Sequence, residues 1–262
     1  MKLSIVTILL MTVGLVGCDD KKQQSLAPAA SSLAPSTAAP TAKAIKFRID
    51  PKGTTSIDMP APKEHIKAST DGAAGTLDID VTNLANSRGE IKMDLSTLTT
   101  KTFGNDDDKK QTLHARCWLE VADCEDGKMD EAMKTANKYA VYAIRSVDNL
   151  SATDLSKVAA TKDGDAEVRS VTATTHGELL IHGHKVEREA EVEVQFRYAP
   201  GATVDKPSSV VIRAKKPLRV QLAEHDVKPR DNFGKIAKGA FSLLGTKVAD
   251  SADISLDLRA TP

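Results

Sequence analysis

The residue with the most distinctive chemical surroundings is Cys18, which stands where an apolar stretch ends near the N-terminus. The stretch begins after a charged lysine, runs apolar from Leu3 to Val16 and closes with the small residue Gly17. A transmembrane helix needs roughly 20 apolar residues, and this run is shorter. Its charged start, short apolar centre and small final residue are typical of an export signal. The thiol of Cys18 is therefore either a free cysteine of an exported protein or a site of modification.

The four residues Leu15-Val16-Gly17-Cys18 resemble a bacterial lipobox. In proteins with that signal, the cysteine receives a diacylglyceryl group and becomes the mature N-terminus. The resemblance implies a signal peptide over residues 1–17 and a lipid anchor on Cys18. It places the protein at a membrane of the bacterial cell envelope, facing the periplasm. Residues 18–44 are mostly Ala, Ser, Pro and Thr, a composition that predicts a disordered tether to a domain over residues 45–262.

Two further cysteines, Cys117 and Cys124, lie in a polar, helix-forming region over about residues 105–138. On one continuous helix, Leu113, Cys117, Val121 and Cys124 would share a face, and the two cysteines would be about 10.5 Å apart along the axis. A disulfide needs Cα atoms within roughly 7 Å. Either the helix ends between the cysteines and they are bonded, or it continues and they are free thiols. Export to an oxidising compartment favours a disulfide that fixes a small helical insertion.

His182 and His184 are spaced so that a strand would place both imidazoles on one face, as in some metal sites. No third ligand is evident, and the intervening Gly183 indicates a turn where histidines are exposed, so no metal is predicted. The sequence has no phosphate-loop, dinucleotide, zinc-protease or serine-hydrolase motif, and His114 has no evident nucleophile partner. We therefore expect neither an enzyme nor a cofactor. The 36 basic and 36 acidic residues balance, which gives no field to attract nucleic acid.

The elements that must position these residues are strands with period-two alternation of apolar and polar residues. The clearest run over residues 76–81, 90–95, 189–196 and 252–259, and a Gly-containing link at 182–184 joins two strands as a hairpin. With weaker segments, the alternation predicts about eight antiparallel strands, a set that closes best as an all-β barrel. The eight apolar positions expected to face its interior are Leu77, Ile79, Ile91, Met93, Val192, Val194, Ile254 and Leu256.

Several short motifs, in their order along the chain, carry a family resemblance. They are Gly75-Thr76-Leu77, Asp94-Leu95-Ser96-Thr97-Leu98, the hairpin segment over residues 177–183 and the loop over residues 228–234. Over roughly residues 46–260 the chain resembles the YceI-like family of exported lipid-binding β-barrels. The resemblance implies a lipocalin-like barrel that holds a long isoprenoid chain. The helical insertion and the low aromatic content of 3% depart from that pattern.

The barrel interior has two possible structures. The inward Leu, Ile, Val and Met residues, among which we expect no acid or base, either pack against each other or line a cavity for one ligand. A cavity would take an isoprenoid, quinone or acyl chain, each buried CH₂ contributing about 0.8 kcal/mol. A packed core would instead indicate a non-catalytic envelope protein whose loops bind a partner. A bound apolar molecule in the purified protein would distinguish the two functions.

Overall fold

The structure, a computed structural model, describes residues 41–60, 65–229 and 249–262. The predicted signal peptide, Cys18, almost all of the predicted tether and the end of the 228–234 motif lie outside the described residues. Within the described part, the chain forms thirteen strands and two α-helices. The strands are β1 Ile45–Ile49, β2 Thr54–Met59, β3 Ile66–Thr70, β4 Ala73–Ile79, β5 Arg88–Asp94, β6 Thr99–Thr100, β7 Tyr139–Asp148, β8 Thr161–Asp163, β9 Ala166–Ile181, β10 His184–Tyr198, β11 Ser209–Ala214, β12 Leu218–Gln221 and β13 Ser251–Thr261; the helices are α1 Asp107–Trp118 and α2 Glu131–Asn137.

Eight strands form a closed ring. They pair in the antiparallel order β1-β4-β5-β7-β9-β10-β11-β13, and β13 pairs back with β1 through Arg48 with Thr261 and Ile49 with Ala260. Closing a sheet on itself removes the unpaired edges that invite pairing with other chains. The predicted all-β, antiparallel barrel of about eight strands is therefore confirmed.

The wall extends beyond this ring on one side. The C-terminal half of β13 pairs with β11 and β1, whereas its N-terminal half pairs with β12 and β2. Strand β3 pairs with β2 and β6, and α1 lies against β6, where the Thr100 amide donates to Thr112 Oγ1 at 2.9 Å. We call this side the helical end of the barrel. The predicted helical insertion is thus part of the barrel wall and not a separate unit.

The opposite end is covered by a loop over residues 80–87, which the buried Asp80 holds in shape. Its carboxylate accepts hydrogen bonds from the Thr82 amide (3.0 Å) and hydroxyl (2.7 Å), the Asn83 amide (3.1 Å) and the Thr41 hydroxyl (2.8 Å). Burial acts to raise the pKa of this carboxyl, but the hydrogen bonds outweigh it and lower the pKa to about 2. Because that value is below the usual one, the bonds contribute stability at neutral pH that is lost only as the pH falls from about 4 towards 2.

The predicted hairpin between β9 and β10 is present, with Ile181 paired to His184. The two turn residues, His182 (φ 50°) and Gly183 (φ 76°), both have positive φ, as a two-residue type I′ turn requires. His184 is exposed as expected, but the expectation that His182 is exposed is wrong, since its side chain is only 5% accessible. It is buried because Glu120 of the insertion lies against it.

The helical insertion does not place its cysteines on one helix face. Helix α1 ends at Trp118, and Glu120 follows with φ 56°, so of the four predicted face residues Val121 and Cys124 lie beyond the helix. The Glu120 amide bonds to the carbonyl of Cys117, and the Val121 amide to that of Arg116, the Schellman pattern of a helix terminus. Cys117 and Cys124 are bonded, with Cα atoms 5.1 Å apart. The chain therefore adopts the alternative in which the helix ends between the two cysteines.

Gly177 on β9 allows three strands to approach closely. A Cβ built at this position would lie 2.2 Å from the backbone oxygen of Ala143 on β7 and 3.1 Å from the ring of Tyr142. In the absence of that atom, the Tyr142 ring crosses β9, and its hydroxyl lies 3.1 Å from the backbone oxygens of both Thr175 and Arg188. One glycine thus lets a tyrosine connect β7, β9 and β10.

We expect Gly177→Ala to lower the free energy of unfolding by about 3 kcal/mol, because its methyl group would overlap backbone that cannot move without parting β7 from β9. Ser170→Ala, at an exposed position on the same strand, should change it by less than about 0.5 kcal/mol. Urea unfolding midpoints measure both effects. Equal midpoints for the two variants would show that the close approach at Gly177 does not exist.

Candidate functional site

The barrel encloses a cavity of about 540 Å³. Val194, Ile254 and Leu256 face it yet remain only partly buried, so the inward side chains do not fill the interior. Of the two structures left open by the sequence, the barrel therefore has a cavity and not a packed core. All eight positions predicted from the alternation line this cavity, although their contact with a ligand stays a prediction; they are Leu77, Ile79, Ile91, Met93, Val192, Val194, Ile254 and Leu256.

Aromatic side chains contribute more to the wall than the composition suggested. Trp118 at the end of α1, Tyr142 on β7 and Phe196 on β10 all line the cavity. Phe196 continues the alternation of Val192 and Val194, so sequence analysis could have included it. Tyr142 lies on a strand with weaker alternation, and Trp118 on α1 is not among the four residues predicted to share a helix face. A chain with few aromatic residues can therefore still have an aromatic cavity wall, since three of them point into the same cavity.

Of the residue types Arg, Lys, His, Asp and Glu, only the basic ones line the described part of the wall. Arg88, His114, Lys216 and His225 line the cavity, whereas none of the described Asp or Glu residues does. The expectation that no base would face the interior is wrong, because these residues lie where strand alternation does not apply. Arg88 is the first residue of β5, Lys216 lies between β11 and β12, His114 is on α1, and His225 ends a 3-10 turn over residues 222–225. The bases therefore lie at a strand end, on α1 and in turns, and the strand faces between them carry apolar residues and a few threonines.

His225 is a fully buried histidine that is held neutral. Its Nδ1 lies 3.1 Å from the backbone oxygen of His184, and Nδ1 must carry the proton because a carbonyl oxygen only accepts. Burial lowers the pKa of the imidazole below its usual value, since the charged form cannot be solvated there. The ring therefore adds no charge to the cavity at neutral pH, in keeping with the apolar wall.

A buried polar network joins the insertion to the hairpin turn at the helical end. Glu120 (3% exposed) places Oε2 2.8 Å from His182 Nε2 and accepts a hydrogen bond from Asn137 Nδ2 at 3.0 Å. On its other side, His182 Nδ1 lies 3.1 Å from the backbone oxygen of His225. The network fixes Leu119 and Trp118, the wall residues that directly precede Glu120. Sequence analysis missed it because its members are far apart in the chain and follow no periodic pattern.

Two predicted features have different outcomes. The lipidation site, Cys18, lies outside the described residues and stays a prediction. The Cys117–Cys124 bond is present and closes the loop that carries Glu120. No helix in residues 41–60, 65–229 and 249–262 combines the length and apolar composition needed to cross a bilayer.

Comparison with known proteins gives one family and several similar structures, two of which are described here. A family model described as a YceI-like domain matches residues 38–260. No curated protein matches the sequence. A polyisoprenoid binding domain from Saccharophagus degradans, described as implicated in plant cell wall breakdown, is 13% identical, with 82% of this chain and 97% of that one covered at a TM-score of 0.46. BcnA from Burkholderia cenocepacia is also 13% identical, with 81% and 99% covered at a TM-score of 0.49.

Proposed function

We propose that this chain, which belongs to the YceI-like family, binds an elongated apolar molecule inside its barrel. The observation that carries the proposal is the cavity of about 540 Å³ lined by incompletely buried apolar side chains. An apolar chain that removes this surface from water gains about 0.8 kcal/mol for each buried CH₂ group. The candidate ligands are an isoprenoid, a quinone or an acyl lipid, and the family resemblance favours the isoprenoid.

The distribution of polar groups supports binding and not catalysis as the role of the cavity. Its strand faces offer mainly hydrophobic contact, and its bases lie at a strand end, on α1 and in turns. Lys216 is paired with Glu191, with 2.7 Å between Nζ and Oε1, and so is not set up for proton transfer in the cavity. An apolar chain needs only surface contact and room, both of which the wall supplies. We propose no cofactor.

We also propose that Cys18 carries acyl chains that hold the protein at a membrane of the cell envelope, with the barrel facing the periplasm. The support is the lipobox-like sequence and the composition of the segment that follows it. Two or more acyl chains give stable attachment, whereas one binds only marginally. A tether of this length spans roughly 30 Å as a flexible chain. The barrel would therefore remain close to the lipids from which it takes its ligand.

The size of the cavity gives a direct test of ligand binding. Val192 faces the cavity between Ala173 and Ala214 of the neighbouring strands, so Val192→Trp should fill space that a ligand needs. We expect the variant to lose most uptake of a fluorescent polyprenyl or fatty acyl probe with little change in its unfolding midpoint. A packed interior would instead cost about 1–3 kcal/mol through overpacking.

The matched control is Glu193→Trp, which introduces the same residue one position along β10, on the outer face. It should leave both probe uptake and the unfolding midpoint near those of the wild type. Loss of uptake in both variants would mean that tryptophan impairs binding by disturbing strand β10 and not by filling the cavity. Absence of uptake by the wild type would contradict the proposed function.

The anchor is tested separately. Cys18→Ser should leave the protein as an unprocessed precursor or release it as a soluble form, because a hydroxyl does not accept the diacylglyceryl group that the thiol receives. The double variant Cys117→Ser with Cys124→Ser, which removes the other two cysteines, should partition as the wild type does. Detergent-phase extraction of membranes measures the distribution, and unchanged partition of Cys18→Ser would refute the lipid anchor.

A further inference from the structure

The histidine pair in the β9–β10 turn acquires a third partner in the folded chain. Asp226, which follows the 3-10 turn over residues 222–225, places a carboxylate oxygen near both imidazoles. One ligand atom each from His182, His184 and Asp226 lies within 4.8 Å of the other two. The sequence could not reveal this partner, because 42 residues separate Asp226 from His184.

The three side chains differ in how firmly they are held. His182 is buried, and its ring is fixed by Glu120 on Nε2 and by the backbone oxygen of His225 on Nδ1. Metal-bound histidines are commonly oriented by a carboxylate or carbonyl partner on the ring nitrogen that does not bind the metal. His182 Nδ1 carries the proton because it faces a carbonyl oxygen, so Nε2 is the nitrogen that can bind an ion, and the carbonyl oxygen of His225 is such a partner on Nδ1. An ion at Nε2 would replace the present contact of that atom with Glu120. The buried histidine is thus oriented in advance.

The other two ligands have room to adjust. With metal–ligand bonds of about 2.0–2.2 Å, the ligand atoms of a tetrahedral zinc site lie about 3.4 Å apart. The three atoms here, which lie within 4.8 Å of one another, must therefore approach by at most about 1.4 Å. His184 is exposed and Asp226 is partly exposed, so rotation of these side chains can supply the movement without repacking the core.

The charges around the cluster suit a divalent cation. Asp226 and Glu120 place two carboxyl groups beside two imidazoles. Lys228 Nζ contacts Oδ1 of Asp226, so an ion would approach this carboxylate through Oδ2. Imidazole nitrogens with one carboxylate are the ligands of zinc and of other late transition metals, whereas magnesium and calcium prefer oxygen alone.

We propose that His182, His184 and Asp226 form a binding site for a divalent transition metal, with Zn²⁺ as the ion that fits the donor set. The three protein ligands leave a fourth position for water or for an oxygen of a bound molecule. The ion joins the β9–β10 turn to the segment after the 3-10 turn, next to His225 and Val227 of the cavity wall. This proposal does not rest on the apolar ligand.

The test is calorimetric titration of the purified, metal-stripped full chain with Zn²⁺, together with its thermal unfolding. We expect one Zn²⁺ per chain, a higher melting temperature with Zn²⁺ and no such rise with equal Mg²⁺. Loss of a residue that only hydrogen-bonds to a metal ligand commonly weakens a metal site by about 10–100-fold. His184→Ala and Asp226→Asn should therefore weaken binding by about tenfold or more, and the asparagine tolerates the positive φ of 53° at its position.

His65→Ala is the matched control, because His65 is another exposed histidine paired with an aspartate, Asp58, but on the β2–β3 side of the barrel. Its Zn²⁺ affinity should equal that of the wild type. Absence of stoichiometric Zn²⁺ binding by the wild type would overturn the proposal. Equal affinity in His184→Ala, Asp226→Asn and the wild type would also overturn it, since the ion would then bind elsewhere.

Discussion

The pairing of the first strand with the last strand closes the barrel and so decides which face of every other strand points inwards. Once β1 and β13 join through Ile49 and Ala260, each strand of the ring has one face towards a common interior and one towards solvent. A slip of one residue in that register would turn the apolar face of β13 outwards. Eight strands enclose either a filled core or space for one ligand. The incomplete burial of Val194, Ile254 and Leu256 shows that this barrel has the space.

The helical end depends on a different interaction, the buried contact between Glu120 and His182. Glu120 occupies a left-handed position where glycine is usual, at a strain of roughly 1–2 kcal/mol. Burying Glu120 with His182 also costs desolvation free energy. The pair therefore contributes more to the position of this segment than to the free energy of unfolding. The Cys117–Cys124 bond and Asn137 hold the same segment from two sides. The backbone strain and the buried charge of Glu120 are thus the cost of holding α1 and Trp118 in the cavity wall.

Much of the fold follows from sequence because alternation is a local property. The residues of β4, β5, β10 and β13 alternate so clearly that their inward faces, and with them all eight predicted cavity positions, follow from the sequence alone. The cavity itself does not follow, since the volume that remains between inward side chains depends on barrel closure and on where α1 lies. The burial of His182 and the approach of Asp226 also depend on contacts between distant segments. The basic residues of the wall were missed because they lie at a strand end, on α1 and in turns, where period-two alternation gives no signal.

The central claim is that this barrel holds an elongated apolar molecule. The most direct measurement is gentle purification of the protein from its native membrane, followed by organic extraction and mass spectrometry of what it carries. The account predicts an isoprenoid, quinone or acyl lipid in near-stoichiometric amount, with much less recovered from Val192→Trp purified in parallel. Protein that carries no apolar molecule, and that takes none up from added lipid, would contradict the account and leave a barrel that acts through its surface.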